Sequence, residues 1–470
     1  MATTTADFIA LQALQPDLRI VTAGGTSETE YETLRANWNL STVARPLAII
    51  VPNNENELAA AVQHCTALSP PLPLTVRSGG HDVHGRHIIQ DAVLLDVSGL
   101  NSITVSPDRK SVTIGGGVRS LQLLQTLDAA GLATAVGWCG TVGVVGWACG
   151  GGYGITNGVW GMGAHNILGA RIVTPSGRIV DTDHDPDLLW AVRGAGLGNF
   201  GVISQLRLIA RPRPRQLAGM VAFPLVQAKE VLCGGLQKWS DEGKLPRNFN
   251  GEFSIATTEM GSGMTFWWSW IVGDEEDGEE SIKRGWEFLE EFKALGTVLM
   301  NTVQETTLYA YKDFLNGIFQ YTGHCMVTSN SVAKLAPEFV DVLIANPPPP
   351  GGAAGLTIHH AHPYRPDAGQ PSPGEVAYPS TQEHYLYGAN ILYQPGTSAE
   401  DIAVQVKWVN AIYDDVVKAG MALDTRYWSF ARSKDCDSVS IYGAGGVERL
   451  KKLKAKYNPE DAFPGAFPTL

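Results

Sequence analysis

Leu74-Thr75-Val76-Arg77-Ser78-Gly79-Gly80-His81-Asp82 is a short apolar strand that runs directly into a glycine pair flanked by polar side chains. Glycines at the end of a strand let backbone N–H groups approach a phosphate with no Cβ in the way. Two more clusters follow: Gly150-Gly151-Gly152-Tyr153-Gly154 and Gly194-Ala195-Gly196-Leu197-Gly198-Asn199-Phe200-Gly201. The chain holds 52 glycines in 470 residues, against a typical ~7%. They concentrate between Gly79 and Gly201. One such cluster reads as a tight turn; three together read as the wall of a ligand site. Gly196 to Gly201 is a formal GxGxxG, but Val202 to Leu208 reads as a strand. A nicotinamide Rossmann site requires a helix there and an acidic residue about 20 positions on, and this chain offers neither.

Outward from the opening stretch, helices and strands mix in both directions. Leu47 to Pro52 reads as a buried strand and Asn56 to Ala67 as a helix with Leu58, Ala61, Val62 and Cys65 on one face. Strands are expected over 92–97, 102–105 and 111–114, then a helix from Val118 to Ala130 with Gly131 at its C-terminus. Pro175-Ser176-Gly177 marks a hairpin, Asp187 to Arg193 a short helix, and Gly201 to Leu208 a strand. Composition shifts at Arg211-Pro212-Arg213-Pro214-Arg215, an expected domain crossing. In Met264 to Ile271 alternation puts Phe266, Trp268 and Trp270 on one face and Trp267 on the other. Asp274 to Leu295, Ser398 to Ala419 and Gly446 to Lys456 read as helices. The fold class expected is α+β.

Lys and Arg number 35 and Asp and Glu 47, for a net charge of −12. That argues against a broad phosphate-binding surface, hence against a nucleic-acid partner, and leaves room only for a local basic groove. No run of about 20 apolar residues exists to span a membrane. The N-terminal segment shows no basic region followed by an apolar one, so an intracellular, cytoplasmic location is expected. Cys65, Cys139, Cys149, Cys233, Cys325 and Cys436 are too scattered for a disulfide framework or a zinc site. His81, His84 and His87 are spaced like metal ligands, but Gly79, Gly80 and Gly85 argue against the helix that spacing needs. His359, His360 and His362 lack a Cys or carboxylate framework and read as a polar strand or loop. No metal is expected.

Taken together, Arg77 to Asp82, Gly137-Trp138-Cys139-Gly140-Thr141-Val142-Gly143, Gly150 to Gly154 and Trp190 to Gly201 occur in the order and spacing of one family. With Arg449-Leu450, Lys454, Tyr457-Asn458-Pro459 and Phe463 they resemble the FAD-linked oxidases of the berberine bridge enzyme type, over residues 40–212 and 420–465. The resemblance implies a two-part FAD-binding domain of the vanillyl-alcohol oxidase type over 1–212. It further implies a substrate domain over 213–420, its sheet roofing the flavin, and a C-terminal segment over 421–470 that returns to the first domain. It implies FAD bonded to His81 and Cys139; an electron-poor ring accepts attack by an imidazole nitrogen or a thiolate. Arg77, Ser78, Gly79, Gly80 and Asp82 would cradle the cofactor. Gly140, Thr141, Val142, Gly143, Gly150, Gly151, Gly152, Tyr153, Gly154, Asn199, Gly201 and Val202 would line the rest.

The activity implied is hydride transfer from an alcohol or amine carbon of a small, largely apolar metabolite to the flavin. Oxygen is then reduced to hydrogen peroxide, and the protein acts as a monomer. A carbohydrate oxidase and a non-redox FAD-containing cyclase or binding protein are the alternatives. Val142 stands where family oxidases carry Val and poor oxygen users a larger Leu. Departures from the family fall on the substrate side. Val83 replaces a usual Tyr, and Tyr427-Trp428-Ser429-Phe430 keeps only the first residue of a Tyr-x-Asn-Tyr strand. Tyr378-Pro379-Ser380-Thr381 stands for Phe-Pro-His-Arg, and the place of a catalytic Glu or Gln falls near Gly388. Tyr427 and Tyr153 remain as the candidate catalytic groups. Val83, Trp268, Trp270, Tyr387 and Asn390 are the expected substrate contacts.

Overall fold

The computed structural model describes residues 5–470 except 26, 260, 319–322, 351–353, 363–370, 379–381, 425–426, 433–435 and 468. Most of the 378–381 signature therefore lies outside the described residues.

Strands β1 (Arg19–Thr22), β2 (Ala48–Val51), β3 (Leu74–Arg77) and β4 (Val93–Asp96) form a sheet in the order β1-β2-β4-β3. β2, β4 and β3 run parallel. Every residue of β2 and β4 is buried, as parallel strands covered on both faces require. The crossover from β2 to β3 is the helix Glu55–Ala67. Its start is secured reciprocally: the Asn54 side chain accepts the Glu57 N–H at 3.0 Å, and the Glu57 carboxylate accepts the Asn53 N–H at 2.8 Å. β3 and β4 end side by side on Arg77 and Asp96, a buried ion pair at 2.5 Å. The first glycine cluster thus leaves the carboxyl end of a parallel strand, the usual place for a ligand crevice.

A second sheet, all antiparallel, takes the order β5-β6-β10-β8-β9 from β5 (Ile103–Val105), β6 (Ser111–Gly115), β8 (Ile167–Val173), β9 (Ile179–Asp181) and β10 (Val202–Ile209). Gly177, with φ of 74°, turns the β8–β9 hairpin. β7 (Leu132–Ala133) pairs with β11 (Arg211–Pro212), where the chain crosses toward the largest sheet. This eight-stranded antiparallel sheet comprises β12 (Gln216–Pro224), β13 (Phe249–Thr258), β14 (Gly261–Ile271), β15 (Met300–Asn301), β16 (Gln304–Thr306), β17 (His324–Val332), β18 (Ala354–Ala361) and β19 (His384–Tyr393). Its order is β15-β12-β14-β13-β18-β19-β17, with β16 also on β12.

Alternation divides the faces of the large sheet. Phe253, Phe266, Trp268, Trp270, Ile358 and Tyr387 form one core with Phe288, Phe292, Phe339 and Trp408 from the helices Gly278–Lys293, Pro337–Ala345 and Ala399–Lys418. Trp267 and Leu386 belong to the core of the other face. The expected parity of the tryptophans holds, but the face expected to meet a substrate is the wrong one. Trp268, Trp270 and Tyr387 fill the helix-side core.

The C-terminal helix Ser438–Tyr457 breaks at Gly443 and packs on the helix Pro186–Ala195. Arg449 lies over the Trp190 ring at 4.0 Å, and Lys456 pairs with Asp185 at 2.6 Å. Beyond it, Phe463 and Ala466 enter the core of the first sheet, and the Leu74 N–H donates to the Ala462 carbonyl at 2.9 Å. Tyr427 to Phe430 is a turn rather than the expected strand; the N–H groups of Phe430 and Ala431 both close on the Tyr427 carbonyl.

Candidate active site

The first glycine loop, the large sheet and the turn at Tyr427 enclose a cavity of about 440 Å³. One wall is built of loops. A Cβ on Gly79 would sit 2.2 Å from the Gly143 nitrogen, and one on Gly143 2.3 Å from the Ser78 hydroxyl. Segments 77–82 and 140–146 therefore pack backbone to backbone, and the Ser78 hydroxyl separately donates to the Gly116 carbonyl at 2.6 Å. Gly196, Gly198, Gly201, Val202 and Ile203 continue this wall. Gly201, at φ 139°, lies so close to β8 that a Cβ would stand 2.4 Å from the Val173 carbonyl. The Arg77 guanidinium is spent on Asp96 and on the Leu34 and Ala36 carbonyls, so Arg77 anchors the loop. Asp82 bonds Arg86 at 2.8 Å, and Arg86 donates to the Trp428 carbonyl, tying the loop to the C-terminal turn. Burial opposes ionisation of Asp82, yet Arg86 and His87 hold its carboxyl below the usual range.

Two nucleophilic side chains open on this wall. His81 Nε2 is 2.7 Å from the Thr141 hydroxyl, and its ring stacks on Trp38. Burial, with Arg119, His87 and Lys312 adding to it, pulls His81 down to about 4, so the imidazole is neutral at pH 7. Burial pushes the Cys139 thiol up while Lys312 pulls it back. Lys312, fully buried on the helix Leu308–Ile318, donates to the Gly137 carbonyl and is itself lowered to about 7 by burial. A cradle that a Cβ would fill, a neutral imidazole and a thiol in one cavity fit FAD.

Several expected cofactor contacts stand elsewhere. Thr141 reaches the site through His81. Gly140 packs on Asn316, where a Cβ would meet Oδ1 at 2.5 Å. Gly150, Gly151, Gly152 and Gly154 do not line the cavity; Gly151 packs on Tyr378, Gly152 on Gly163 and Gly154 on the Val136 carbonyl. This cluster serves close packing around Trp147, whose indole N–H donates to the Tyr153 carbonyl at 2.7 Å. Asn199 is fully buried, and its carbonyl accepts from Asn458 of the C-terminal segment at 3.2 Å.

The facing wall is the large sheet. Register sets Trp267, Glu252 and His359 in one row across β14, β13 and β18, with Thr357 and Gly388 in the next and Asn390 and Val327 beyond. Val83, Phe430 and Leu392 add apolar surface. Tyr427 and Tyr153 both line the cavity, their rings 4.8 Å apart and edge to face. Tyr153 Oη lies 2.5 Å from His384 Nε2, while His384 Nδ1 is 3.0 Å from the Gln382 carbonyl. A carbonyl only accepts, so Nδ1 carries the proton and Tyr153 donates to Nε2. Burial raises Tyr153 well above its ordinary value and pushes Tyr427 up to about 12, against hydrogen bonds from Ser429 and the Tyr153 backbone.

Residues 46–183 match the FAD binding domain family. Over 452 residues the chain is 33% identical to an FAD-linked oxidoreductase of Gibberella zeae, covering 95% of this chain and 85% of that protein. The chain belongs to the FAD-linked oxidoreductases. Its fold is that of berberine bridge enzyme from Eschscholzia californica, with a TM-score of 0.81 at 17% identity over 98% of this chain and 99% of the other. It is also similar to the glucooligosaccharide oxidase of Acremonium strictum, whose FAD is 6-S-cysteinyl, 8α-N1-histidyl. That structure gives a TM-score of 0.78 at 21% identity over 98% of both chains. In this FAD-linked oxidoreductase no cluster of described residues is arranged to hold a metal ion, and no described helix is long and apolar enough to cross a membrane.

The sequence reading missed Glu252 and His359. His359 Nδ1 and Glu252 Oε2 are 2.5 Å apart, both side chains are nearly buried, and both line the cavity. The available signal was a lone carboxylate in the apolar strand Phe249–Thr258 at the parity of the cavity face. His360, one residue on, faces the other way and pairs with Glu383 at 2.6 Å.

Proposed function

We propose that this FAD-linked oxidoreductase is an oxidase with FAD bonded to both His81 and Cys139. It would oxidise an alcohol or amine carbon of a small, largely apolar metabolite, with oxygen as acceptor and hydrogen peroxide as product. The observation that carries the reading is one cavity with His81 and Cys139 on its loop wall and Tyr153, Tyr427 and the Glu252–His359 pair on the facing wall. FAD held there by these residues would supply a two-electron acceptor that oxygen can reoxidise. Residues 1–212 and 421–470 would hold the cofactor and 213–420 the substrate.

The neutral imidazole of His81 keeps a lone pair for bonding, and Lys312 favours the thiolate of Cys139. Tyr427 and Tyr153 stay protonated near neutral pH, so they orient a substrate oxygen or nitrogen by hydrogen bonding. Val83, Val327, Leu392, Phe430 and Trp267 exclude water and suit an apolar body. A sugar would leave hydroxyls unpaired against them at ~1–3 kcal/mol each. The test is a screen of alcohols, amines, polycyclic metabolites and oligosaccharides for peroxide release, each positive repeated without oxygen. Anaerobic bleaching of the flavin by an apolar alcohol or amine is expected. Efficient turnover of oligosaccharides alone, or no bleaching by any compound, contradicts the reading.

A further inference from the structure

We propose that His359 is the general base of this oxidation, its Nε2 taking the O–H or N–H proton of the substrate while Glu252 holds the ring. The inference rests on the oxidase reading, which supplies the substrate.

The geometry starts from the strand register. The β13–β18 ladder ends at Phe253–Ile358, and Glu252 and His359 are the next positions in that register, so strand residues rather than a loop bring the pair together. A carboxylate at 2.5 Å accepts, so His359 Nδ1 donates and the remaining lone pair lies on Nε2. No described residue takes that nitrogen. Glu252 Oε1 is buried without a hydrogen-bond partner in the same wall, so the carboxylate keeps capacity to stabilise a charged ring. Gly388 in the neighbouring row puts no side chain in front of the pair. The two cavity tyrosines are less suited: Tyr153 gives its proton to His384, and burial keeps Tyr427 a phenol.

The substrate O–H or N–H bond breaks and its proton bonds to His359 Nε2. The freed electron pair becomes the second bond of C=O or C=N as the carbon loses its hydride. Carbon is oxidised by two electrons, for which FAD held in the cavity would be the acceptor and oxygen the final oxidant. The imidazolium sits against the Glu252 carboxylate until it returns its proton to water. The groups that face the pair are Tyr153 from the loop after Gly152, Tyr427 from the C-terminal turn, and Tyr311 and Lys312 from the helix Leu308–Ile318. His359 is a catalytic residue on this reading and Glu252 a positioning residue.

The test treats the FAD-loaded full chain with diethylpyrocarbonate, which acylates neutral imidazole, across a pH series, and maps the adducts by mass spectrometry. Exposed His184 serves as the internal control. His359 should be acylated in the wild type, and the rate of its acylation should change in Glu252→Gln, because the group that holds the ring is altered while the fold is kept. With a substrate found by peroxide release, His359→Gln should reduce its flavin at least ~100-fold more slowly, with FAD content unchanged, and added imidazole should restore part of the rate in His359→Ala. The proposal is overturned if His359 stays unmodified while His184 reacts, if its acylation rate is the same in Glu252→Gln, or if His359→Gln bleaches at the wild-type rate. A wild type that no compound bleaches would instead count against the oxidase reading, and the acylation curves would still decide whether the pair is a base.

Discussion

On the loop wall of the cavity, Gly79, Gly143 and Gly201 hold backbone against backbone at separations that a single Cβ would break. On the sheet wall, Trp267, Glu252 and His359 stand out from a regular antiparallel ladder whose hydrogen bonds do not depend on which side chains they are. The first wall is specified by what must be absent, the second by what happens to be present. A loop that cradles a cofactor therefore tolerates little change, whereas a ladder can exchange its inward residues and keep its register. That contrast fits the family motifs at Arg77 to Asp82 and Gly137 to Gly143, which lie on the loop wall, and the departure near Gly388, which lies on the sheet.

Alanine substitutions at two glycines probe the contrast most strongly. Gly79→Ala drives a Cβ into Gly143 backbone, so the protein should purify without flavin absorbance and melt at a lower temperature. Gly388→Ala meets nothing nearer than the Phe430 ring at 3.5 Å and should keep its FAD, changing only KM. Equal loss of flavin in both variants would erase the difference between the walls. Next in size, Tyr427→Phe removes one orienting hydrogen bond at the C-terminal turn and should slow anaerobic flavin reduction by about 10-fold with FAD retained.

How far these walls were legible in the sequence follows from the same physics. Glycine requirements are local, so the Arg77 to Asp82 loop and Cys139 could be placed from spacing and family motifs. Strand alternation was legible too, and it correctly set Trp267 apart from Trp268 and Trp270. Which face met the cavity depended on where the helices Gly278–Lys293 and Ala399–Lys418 pack, and nothing within the strand encodes that. Glu252 and His359 are brought together across 107 residues by pairing of β13 with β18, a register no local pattern announces. The cluster at Gly150 misled for the opposite reason: close packing around Trp147 asks for glycine as strictly as a phosphate does.

Two smaller effects sharpen the comparison. Trp268→Ala should cost about 3–5 kcal/mol of stability by opening the helix-side core, with little change in substrate selectivity. Trp267→Ala should do the reverse, raising KM while the melting temperature moves less. The reverse ranking would mean that the cavity face has been assigned wrongly. The smallest effect is expected at Val142, which lines the loop wall. Val142→Leu adds about one methylene where oxygen would approach and should slow stopped-flow reoxidation while reduction is spared. Unchanged reoxidation would remove Val142 from the oxygen path.

The central claim, that the loop wall holds FAD through both His81 and Cys139, is tested most directly by acid precipitation of the wild-type protein followed by proteolysis and mass spectrometry. The account predicts a yellow pellet and one flavin mass joining the peptides that contain His81 and Cys139. A colourless pellet with free FAD in the supernatant would contradict it.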